Sequence, residues 1–538
     1  MFSLRALVLL ALTVFCANVN GANILACVPS ASRSHHIVVA TILEELANRG
    51  HNVTVLSTFP KPDRPLPKTY HHIYTQIDDL NEWIDMRKGM LNNETKDDET
   101  QMKRIPKWMR MMAHRSTLII KHEAVQSVIK SGQKFDLFFF DYSLNDMMLG
   151  LAGHFRCPSV VFSTSPAMKP LRDMIGNPAA VSSAPLFKHL KKIDQLNFKQ
   201  RLGLFIEYVF EYFYVSYVNY FLFEKFYDEH FGVIENFPTF DEIKKNVSLI
   251  LTTTHFSEGT IRPALPNLIE VGGLHIKETP NPLPKEFQDV FDSADENGVI
   301  VFSFGGNIQS SHMTDDKVKL FYSVFAQLKQ KIIWKWESSE IPVGKPKNVH
   351  MMQWIPQADL FAQPQVRFFI SHCGISGIYE AKFYGVPILG IPIYGDQLAN
   401  AKQIENQGWA VTLDFDTLNK TIFSESIHEI LTNSTYRESV QKLSQLFRDR
   451  PMSPLQTAVY WIEYVIRYDG AKHMQSSAVH LNFIQKNSLD VIFLFVVVFY
   501  ILFKILAKLV SLVIKYRPLW IVTIAVLAYL IFPFVKSE

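Results

Sequence analysis

Apolar runs of strand length alternate with amphipathic stretches of helix length through most of this chain. Near its start, an apolar run from Ile24 to Val28 precedes a polar turn, a helical pattern from His35 to Asn48 and a second strand pattern from Asn52 to Ser57. Strands that are apolar throughout are typical of parallel sheets covered on both faces. The pattern therefore predicts a βαβ unit at the start of an α/β domain.

The alternation continues in two series. In the first series, we predict strands at Phe135 to Asp141 and Ser159 to Ser163. The second series begins at Gly298 to Phe304, and its further elements are a helix from Asp315 to Lys329 and strands at Lys331 to Trp336, Asn348 to Gln353 and Val386 to Pro392. The proline-rich segment Thr279 to Pro284 is the best candidate for a linker. The chain is therefore predicted to hold two α/β halves.

The second half contains a strand, a glycine turn and a helix in direct succession. The apolar run from Arg367 to Ser371 ends abruptly at His372 and Gly374, and an amphipathic run to Tyr384 follows. A helix N-terminus at such a turn presents unpaired backbone N–H groups and positive dipole density to an anion. Further donors and close backbone approach come from residues of this turn: His372, Gly374, Ser376 and Gly377. A diphosphate is the expected ligand.

Residues on either side of this turn suit the rest of a nucleotide sugar. Trp354 and Gln357 could stack on a base and hydrogen-bond its edge or the ribose, and Glu380 could accept from ribose hydroxyls. The polar side chains after the next strand suit a sugar: Asp396, Gln397 and Asn400. Each residue alone fits an ordinary structural role, such as a core aromatic or a helix cap. Their order and spacing together favour nucleotide-sugar binding.

Both ends of the chain carry targeting features. Met1 to Gly21 has a basic residue, a short apolar run and small residues near its end, which predicts a cleaved secretory signal; an uncleaved anchor is the alternative. Entry into the secretory pathway makes five N-x-S/T sequons candidates for glycosylation: Asn52, Asn93, Asn246, Asn419 and Asn433. Asn52 is the weakest of these because it opens a predicted strand. Outside the signal, three cysteines remain, which cannot all pair.

The C-terminal region is apolar enough for a membrane. Val491 to Phe503 is followed by a cluster of basic residues and by a second apolar block, Leu519 to Val535. The first block predicts a span over about residues 489–506, with Lys504 reaching outward and the basic cluster cytosolic. The second block is either a returning span or a re-entrant segment. The domains would lie in the lumen.

Length and charge set broader limits. With 538 residues, the chain exceeds what one core usually supports, so two domains are expected. The net charge of +3 and the lack of a long basic block argue against nucleic-acid binding.

The stretch from Trp354 to Gln403 resembles the signature of the UDP-glycosyltransferase family, the membrane-bound animal enzymes often called UDP-glucuronosyltransferases, and most closely its insect members. The resemblance runs from about Asn23 to Arg467. It implies a GT-B fold, in which two Rossmann-like domains face each other. The expected boundaries are 1–21 for the signal, 22–278 for the acceptor domain, 285–455 for the UDP-sugar domain, 456–487 for returning helices and linker, and 488–538 for the membrane region.

Two residues of the first half are candidates for the chemistry. An imidazole can take a proton from a hydroxyl near neutral pH, and a carboxylate on its other nitrogen would orient it. His35 and Asp141 follow predicted strands of one sheet, although the residues alone do not pair them. The resemblance implies that His35, in its Ser34-His35 motif, is the general base and that Asp141 supports it. His36 remains a rival for the base.

The implied reaction is a single displacement with inversion, in which a hexosyl group passes from a UDP-sugar to a hydroxyl of a small lipophilic acceptor. UDP-glucose is favoured over UDP-glucuronate, no metal or other cofactor is expected, and Ser303 joins the donor residues by resemblance. The chain departs from the family at Gly306, where a serine is common, and at Lys335, where arginine is common. The family also implies the endoplasmic reticulum membrane, but the dilysine retention signal is absent. Homo-oligomerisation stays open.

Acceptor contacts are predicted within Asp78 to Gly132 and Phe198 to Phe231, the second of which is rich in aromatics. That aromatic segment fits either an apolar entry for acceptors or an ordinary buried helix pair. Two other function classes remain as alternatives. One is a UDP-sugar epimerase on the same architecture, and the other is a membrane-anchored pseudoenzyme that binds UDP-sugars or small ligands.

Overall fold

The first half of the chain forms a seven-stranded parallel sheet. In the computed structural model, which describes residues 21–535 except 31, 78–88, 90, 92–100, 180, 182–195, 233 and 259–260, its strand order is β3-β2-β1-β4-β5-β6-β7. The strands are β1 (Asn23–Val28), β2 (Asn52–Ser57), β3 (Tyr70–Tyr74), β4 (Leu137–Tyr142), β5 (Ser159–Ser163), β6 (Val247–Thr252) and β7 (Leu268–Glu270). The prediction of a signal over 1–21 falls almost wholly outside the described residues, as does the sequon at Asn93.

The apolar runs of the strands are explained by helices on both faces of the sheet. In β4, Phe138 and Phe140 pack into the core on one face, and Leu137 and Phe139 pack into the core on the other. All four are fully buried, and each buried side chain of this size contributes roughly 1.5–3 kcal/mol of transfer free energy. Because side chains alternate between the two faces of a strand, one apolar run contributes residues to two cores.

Helices join and cover these strands. They are α1 (Arg33–Asn48), α2 (Gln101–Lys121), α3 (Glu123–Lys130), α4 (Gly150–Phe155), α5 (Lys169–Met174), α6 (Phe198–Val218), α7 (Lys225–His230) and α8 (Phe240–Lys245). A π-helical segment, Asn219–Glu224, lies between α6 and α7. A short 3₁₀ turn, Asp146–Leu149, precedes α4.

The second half forms a six-stranded parallel sheet with the order β10-β9-β8-β11-β12-β13. Its strands are β8 (Val299–Ser303), β9 (Lys331–Lys335), β10 (Val349–Met352), β11 (Val366–Ser371), β12 (Ile388–Gly390) and β13 (Ala410–Thr412). Its helices are α9 (Lys285–Asp292), α10 (Asp315–Phe325), α11 (Gln357–Phe361), α12 (Ile375–Phe383), α13 (Gln397–Asn406), α14 (Lys420–Thr432) and α15 (Thr435–Arg448). The prediction of an α/β chain with two parallel sheets is confirmed.

Several elements are shorter than their patterns predict. β12 covers three residues where the sequence predicts Val386 to Pro392, because Pro387 and Pro392 have no N–H to donate to a ladder. The helix predicted to reach Lys329 ends at Phe325. One further helix, α16 (Pro454–Arg467), places its buried residues in the core of the first sheet.

Residues 477–538 form a second compact unit. It contains α17 (Phe483–Lys486) and α18 (Leu489–Val535), a continuous helix of 47 residues. At about 1.5 Å per residue this helix is roughly 70 Å long, more than twice the hydrocarbon thickness of a bilayer. Its stretch from Leu489 to Phe532 is long and apolar enough to span a membrane. Both predicted apolar blocks therefore lie on one helix, and no turn separates them.

Candidate functional site

Two glycine turns meet where β8 and β11 end. The register of these neighbouring strands pairs Ser371 with Ser303, so the chain leaves both strands at the same edge of the sheet. The first turn continues through Gly305, and the second continues through His372 into α12. This is the edge at which parallel sheets bind their ligands.

The His372 ring fills the space between these turns. A Cβ at Gly305 would come within 2.6 Å of Cε1 of His372, and a Cβ at Gly374 would come within 2.5 Å of Nε2. Gly305 also has a φ of +81°, which side chains rarely adopt. Burial, together with the charge of Lys335, lowers the pKa of His372 to about 4. The ring is therefore neutral at physiological pH and acts as a hydrogen-bonding group.

The serines and the remaining glycine of the predicted anion site surround this ring. Ser303 is buried, and its Oγ accepts from the N–H of Gly305 at 3.1 Å, which fixes the first turn. Ser376 and Gly377 lie in the first turn of α12. A Cβ at Gly377 would lie 3.2 Å from Nε2 of Gln357, so the glycine lets α11 approach α12 closely.

Glu380 lies at the centre of a small polar network. Its Oε2 accepts from Nε2 of Gln357 at 2.5 Å, and its Oε1 lies 3.1 Å from Nε2 of His275. Both carboxylate oxygens therefore have a protein partner. No sequence pattern points to His275 as a site residue, apart from its place after Gly272-Gly273 at the end of the first half.

The three predicted sugar-binding residues divide into two groups. Asn400 donates through Nδ2 to Oδ2 of Asp396 at 2.8 Å and to the carbonyl of Cys373 at 3.1 Å, which joins α13 to the glycine turn. Gln397 is buried instead, and its Oε1 accepts from the N–H groups of Ile393 and Tyr394. The side-chain oxygen of Gln397 therefore stabilises its own turn.

Trp354 presents an exposed aromatic ring beside two cations. Its side chain is 53% exposed. The guanidinium carbon of Arg33 lies 5.2 Å from the ring centroid, and Nζ of Lys335 lies 5.4 Å from it. Nζ of Lys335 also donates to the carbonyl of Gly305 and lies 3.3 Å from Oε1 of Glu337. Arg33 comes from the first half, so the two halves meet at this ring.

His35 lies in the first turn of α1, after the carboxyl end of β1. Its ring nitrogens lie 3.0 and 3.3 Å from Oγ1 of Thr164, which follows β5. His36 faces another neighbour, because its Nε2 is hydrogen-bonded to Oγ of Ser57 at 2.9 Å. Burial, together with the neighbouring His72 and Arg33, lowers the pKa of His36 to about 4.

Asp141 lies on the same sheet as His35 and is fully buried. The register pairs Cys27 of β1 with Phe140, so Asp141 lies beside the last residue of β1. Among the residues that the structure describes, neither carboxylate oxygen has a hydrogen-bond partner, and burial raises the pKa of Asp141 to about 8. The sheet brings His35 and Asp141 to one edge, while the hydrogen bond of the His35 ring goes to Thr164.

Two further contacts hold the loop that leads into α1. Nε of Arg115, a buried residue of α2, donates to the carbonyl of Pro29 at 2.8 Å. Nδ2 of Asn307 donates to Oγ of Ser32 at 2.9 Å, across the space between the two halves. No periodicity or motif marks Arg115, and the glycine turn that holds Asn307 gives no sign of its contact with Ser32, because both residues act through contacts distant along the chain.

A family model described as "UDP-glucoronosyl and UDP-glucosyl transferase" matches residues 23–517. The chain belongs to the UDP-glycosyltransferase family. It is 35% identical over 504 residues to UDP-glucosyltransferase 2 of Dactylopius coccus, covering 92% of this chain and 94% of that relative. It is 32% identical over 488 residues to human UDP-glucuronosyltransferase 2B7, covering 88% and 90%. The predicted family and its insect resemblance are confirmed.

Solved glycosyltransferases share the fold. A UDP-glucosyltransferase from Polygonum tinctorium that glucosylates indoxyl matches with a TM-score of 0.55 and 14% identity, over 83% of this chain and 99% of that chain. The calicheamicin glycosyltransferase CalG4 matches with a TM-score of 0.52 and 16% identity, over 84% and 99%. The fold is GT-B, as predicted.

The aromatic segment of the first half exposes an apolar stripe. α6 carries large apolar side chains, most of them three or four residues apart, that are between 45% and 71% exposed: Phe198, Leu202, Phe205, Ile206, Phe210, Phe213 and Tyr217. A buried helix pair would cover these side chains, so the stripe favours the alternative of an apolar surface. The other predicted acceptor segment falls partly outside the described residues.

The described sequons differ in their surroundings. Asn52 opens β2, and its side chain bonds Asn23 and His71. Asn246, Asn419 and Asn433 are exposed, and Asn419 caps α14 by accepting from the N–H of Ile422. Their occupancy remains a prediction.

Proposed function

We propose that this protein transfers a hexosyl group from a UDP-sugar to a hydroxyl of a small lipophilic acceptor, with inversion at the anomeric carbon. The observation that carries this proposal is the meeting of two sheet edges. His35 follows β1 and the donor residues follow β8 and β11, and the Asn307–Ser32 hydrogen bond joins the two edges. An acceptor hydroxyl at His35 and a donor on the second half would lie face to face.

His35 is proposed as the general base. It takes the proton of the acceptor hydroxyl while that oxygen bonds the anomeric carbon and the bond to UDP breaks. In the reacting complex, the ring turns from Thr164 and donates its other N–H to Asp141. Asp141 releases its proton to solvent as this hydrogen bond forms, because the ring N–H, and then the imidazolium, offsets the burial that raises the pKa of Asp141 to about 8 in the free protein.

Leaving-group charge is stabilised by the second half. Negative charge grows on the diphosphate as UDP departs, and the first turn of α12 presents backbone N–H groups together with Ser376 and the neutral His372. Glu380 orients the ribose with support from Gln357 and His275, and Trp354 stacks on uracil. Asp396 and Asn400 contact the sugar hydroxyls. The reaction needs no metal ion or other cofactor on this mechanism, and the UDP-sugar is a co-substrate.

UDP-glucose is the proposed donor, with UDP-glucuronate as the competitor. The support is the similarity to an insect UDP-glucosyltransferase, and the human relative named for glucuronosyl transfer is only slightly less similar. The exposed apolar stripe of α6 supports lipophilic acceptors. The apolar helix α18 supports a membrane-anchored protein, and we propose the endoplasmic reticulum with luminal catalytic domains.

The test is turnover by membranes that contain the full-length protein. UDP release and glycoside formation are measured with UDP-glucose and UDP-glucuronate against a panel of phenols, for the natural chain and for His35→Ala. We expect a glycoside of inverted configuration with UDP-glucose and a loss of about a hundredfold or more in His35→Ala, as is typical for removal of a general base. Undiminished turnover in His35→Ala would contradict the assigned base. Absence of any glycoside with either donor, with UDP still bound, would point to the non-catalytic alternative.

A further inference from the structure

A cation of the acceptor half lies among the donor residues. Arg33 is the first residue of α1, and its guanidinium lies 5.2 Å from the centroid of the Trp354 ring. Trp354 begins the stretch that identifies the donor site. The sequence places these two residues more than three hundred positions apart, so only the fold reveals the contact.

The side chain of Arg33 begins above the first donor turn. A Cβ at Gly306 would have Cβ of Arg33 as its nearest neighbour, at 3.8 Å. Asn307, which follows Gly306 in the turn, donates a hydrogen bond to Ser32, which directly precedes Arg33. Arg33 therefore extends from the glycine turn to the exposed tryptophan, over the region that a nucleoside diphosphate would occupy.

The charges around this region leave Arg33 uncompensated. Lys335 has Glu337 at 3.3 Å and donates to the carbonyl of Gly305, and His372 is neutral. In the part of the chain that the structure describes, no carboxylate lies within ion-pair distance of Arg33. An exposed arginine without a carboxylate partner, at a site for a diphosphate, has an obvious anionic ligand.

We propose that Arg33 binds the donor diphosphate from the acceptor half. Its planar guanidinium can donate two parallel hydrogen bonds to phosphate oxygens. When the donor binds, the guanidinium moves from the Trp354 ring to the diphosphate, and uracil stacks on the ring in its place. Because Arg33 precedes His35 by two residues on one helix, the bound donor also draws the general base, His35, towards the anomeric carbon. This inference rests on the proposed function, since it specifies how that donor site is completed.

The test compares ligands that differ only in phosphate. Uridine, UMP and UDP are titrated calorimetrically into the detergent-solubilised full-length protein, for the natural chain, Arg33→Gln and Arg33→Lys. We expect Arg33→Gln to bind UDP about tenfold to a hundredfold more weakly, the range for loss of a hydrogen bond to a charged group, while uridine binds as before. The UDP affinity of Arg33→Lys should lie between those of the natural chain and Arg33→Gln, because lysine keeps the charge but cannot donate two parallel hydrogen bonds. The loss should shrink at high salt.

Arg64→Gln is the matched control. Arg64 is an exposed arginine of the same half whose partner is Glu44, so its replacement changes the net charge equally without affecting UDP. Unchanged UDP affinity in Arg33→Gln would overturn the inference, as would a partial loss of the same size for uridine and UDP. If Arg33→Gln bound neither ligand, Arg33→Lys would decide: weaker UDP with unchanged uridine supports the inference, and unchanged UDP overturns it. Failure of the natural chain to bind UDP would instead refute the proposed function.

Discussion

The ring of His372 lies against Gly374 so closely that a Cβ at residue 374 would come within 2.5 Å of Nε2. Gly305 borders the same ring from the other turn, at 2.6 Å from Cε1. The two glycines therefore leave room for the His372 ring, in addition to allowing a ligand to approach the backbone. Any side chain at either position must displace the ring from the anion site.

Gly305→Ala and Gly374→Ala should each abolish measurable UDP binding, because the added methyl group displaces His372 and disturbs the two turns. Gly306→Ala is the control, since its Cβ would meet only Arg33 at 3.8 Å, an ordinary contact. We expect Gly306→Ala to retain UDP affinity within a few fold. Calorimetric titration checks all three variants, and equal UDP affinities across them would show that the His372 position does not depend on these glycines.

Asp141→Asn should raise thermal stability at neutral pH while lowering turnover. Burial raises the pKa of Asp141 from the unfolded value of 3.8 to about 8 in the folded protein. Below pH 4 the carboxyl group is protonated in both the folded and the unfolded protein and does not lower the free energy of unfolding. Between about pH 4 and pH 8 only the unfolded chain ionises, so the folded protein loses stability as pH rises.

The stability gain of Asp141→Asn should accordingly grow from pH 4 to pH 8 and then level off. Thermal unfolding of both proteins across this range measures it, with kcat recorded in parallel. A gain that did not vary with pH would mean that Asp141 is ionised in the folded protein.

His275→Ala should weaken the recognition of the ribose. The 3.1 Å contact from His275 helps to fix the Glu380 carboxylate, which we propose accepts from the ribose hydroxyls. We expect a loss of about fivefold to tenfold in UDP affinity, the size of one hydrogen bond, and a smaller loss for 2′-deoxy-UDP. Titrations with both nucleotides check this, and equal losses would assign His275 a role in the fold alone.

Glu258→Gln should destabilise the protein strongly. Nζ of Lys382 is hydrogen-bonded to Glu258, and the side chains of both are almost fully buried. Removing one partner leaves a buried charge unpaired, which costs about 3–5 kcal/mol. The double variant Glu258→Gln/Lys382→Met should recover much of this loss, since it buries no charge. Urea unfolding of the two single variants and the double variant measures the coupling, and additive losses would contradict it.

Much of the fold and part of the site follow from local sequence patterns. Continuous apolar runs such as Phe135 to Asp141 predict buried parallel strands, because a two-sided sheet needs apolar residues at every position. His372, Gly374 and Ser376 could be assigned to an anion site, because a strand, a glycine turn and a helix N-terminus are adjacent in the chain. Element ends are less predictable from the apolar pattern. Pro387 and Pro392 shorten β12, and the helix that begins at Asp315 ends at Phe325 although its pattern continues.

Residues close together in the chain predict the family, the two parallel sheets, the donor turn and the two apolar C-terminal blocks, which only the structure joins in one helix. Tertiary structure alone decided the contacts between distant segments. It placed Arg33 over Trp354, joined His275 to Glu380 and buried Asp141 fully, with no hydrogen-bond partner among the described residues. Burial and pairing are set by what packs around a side chain, and those neighbours lie tens to hundreds of residues away along the chain.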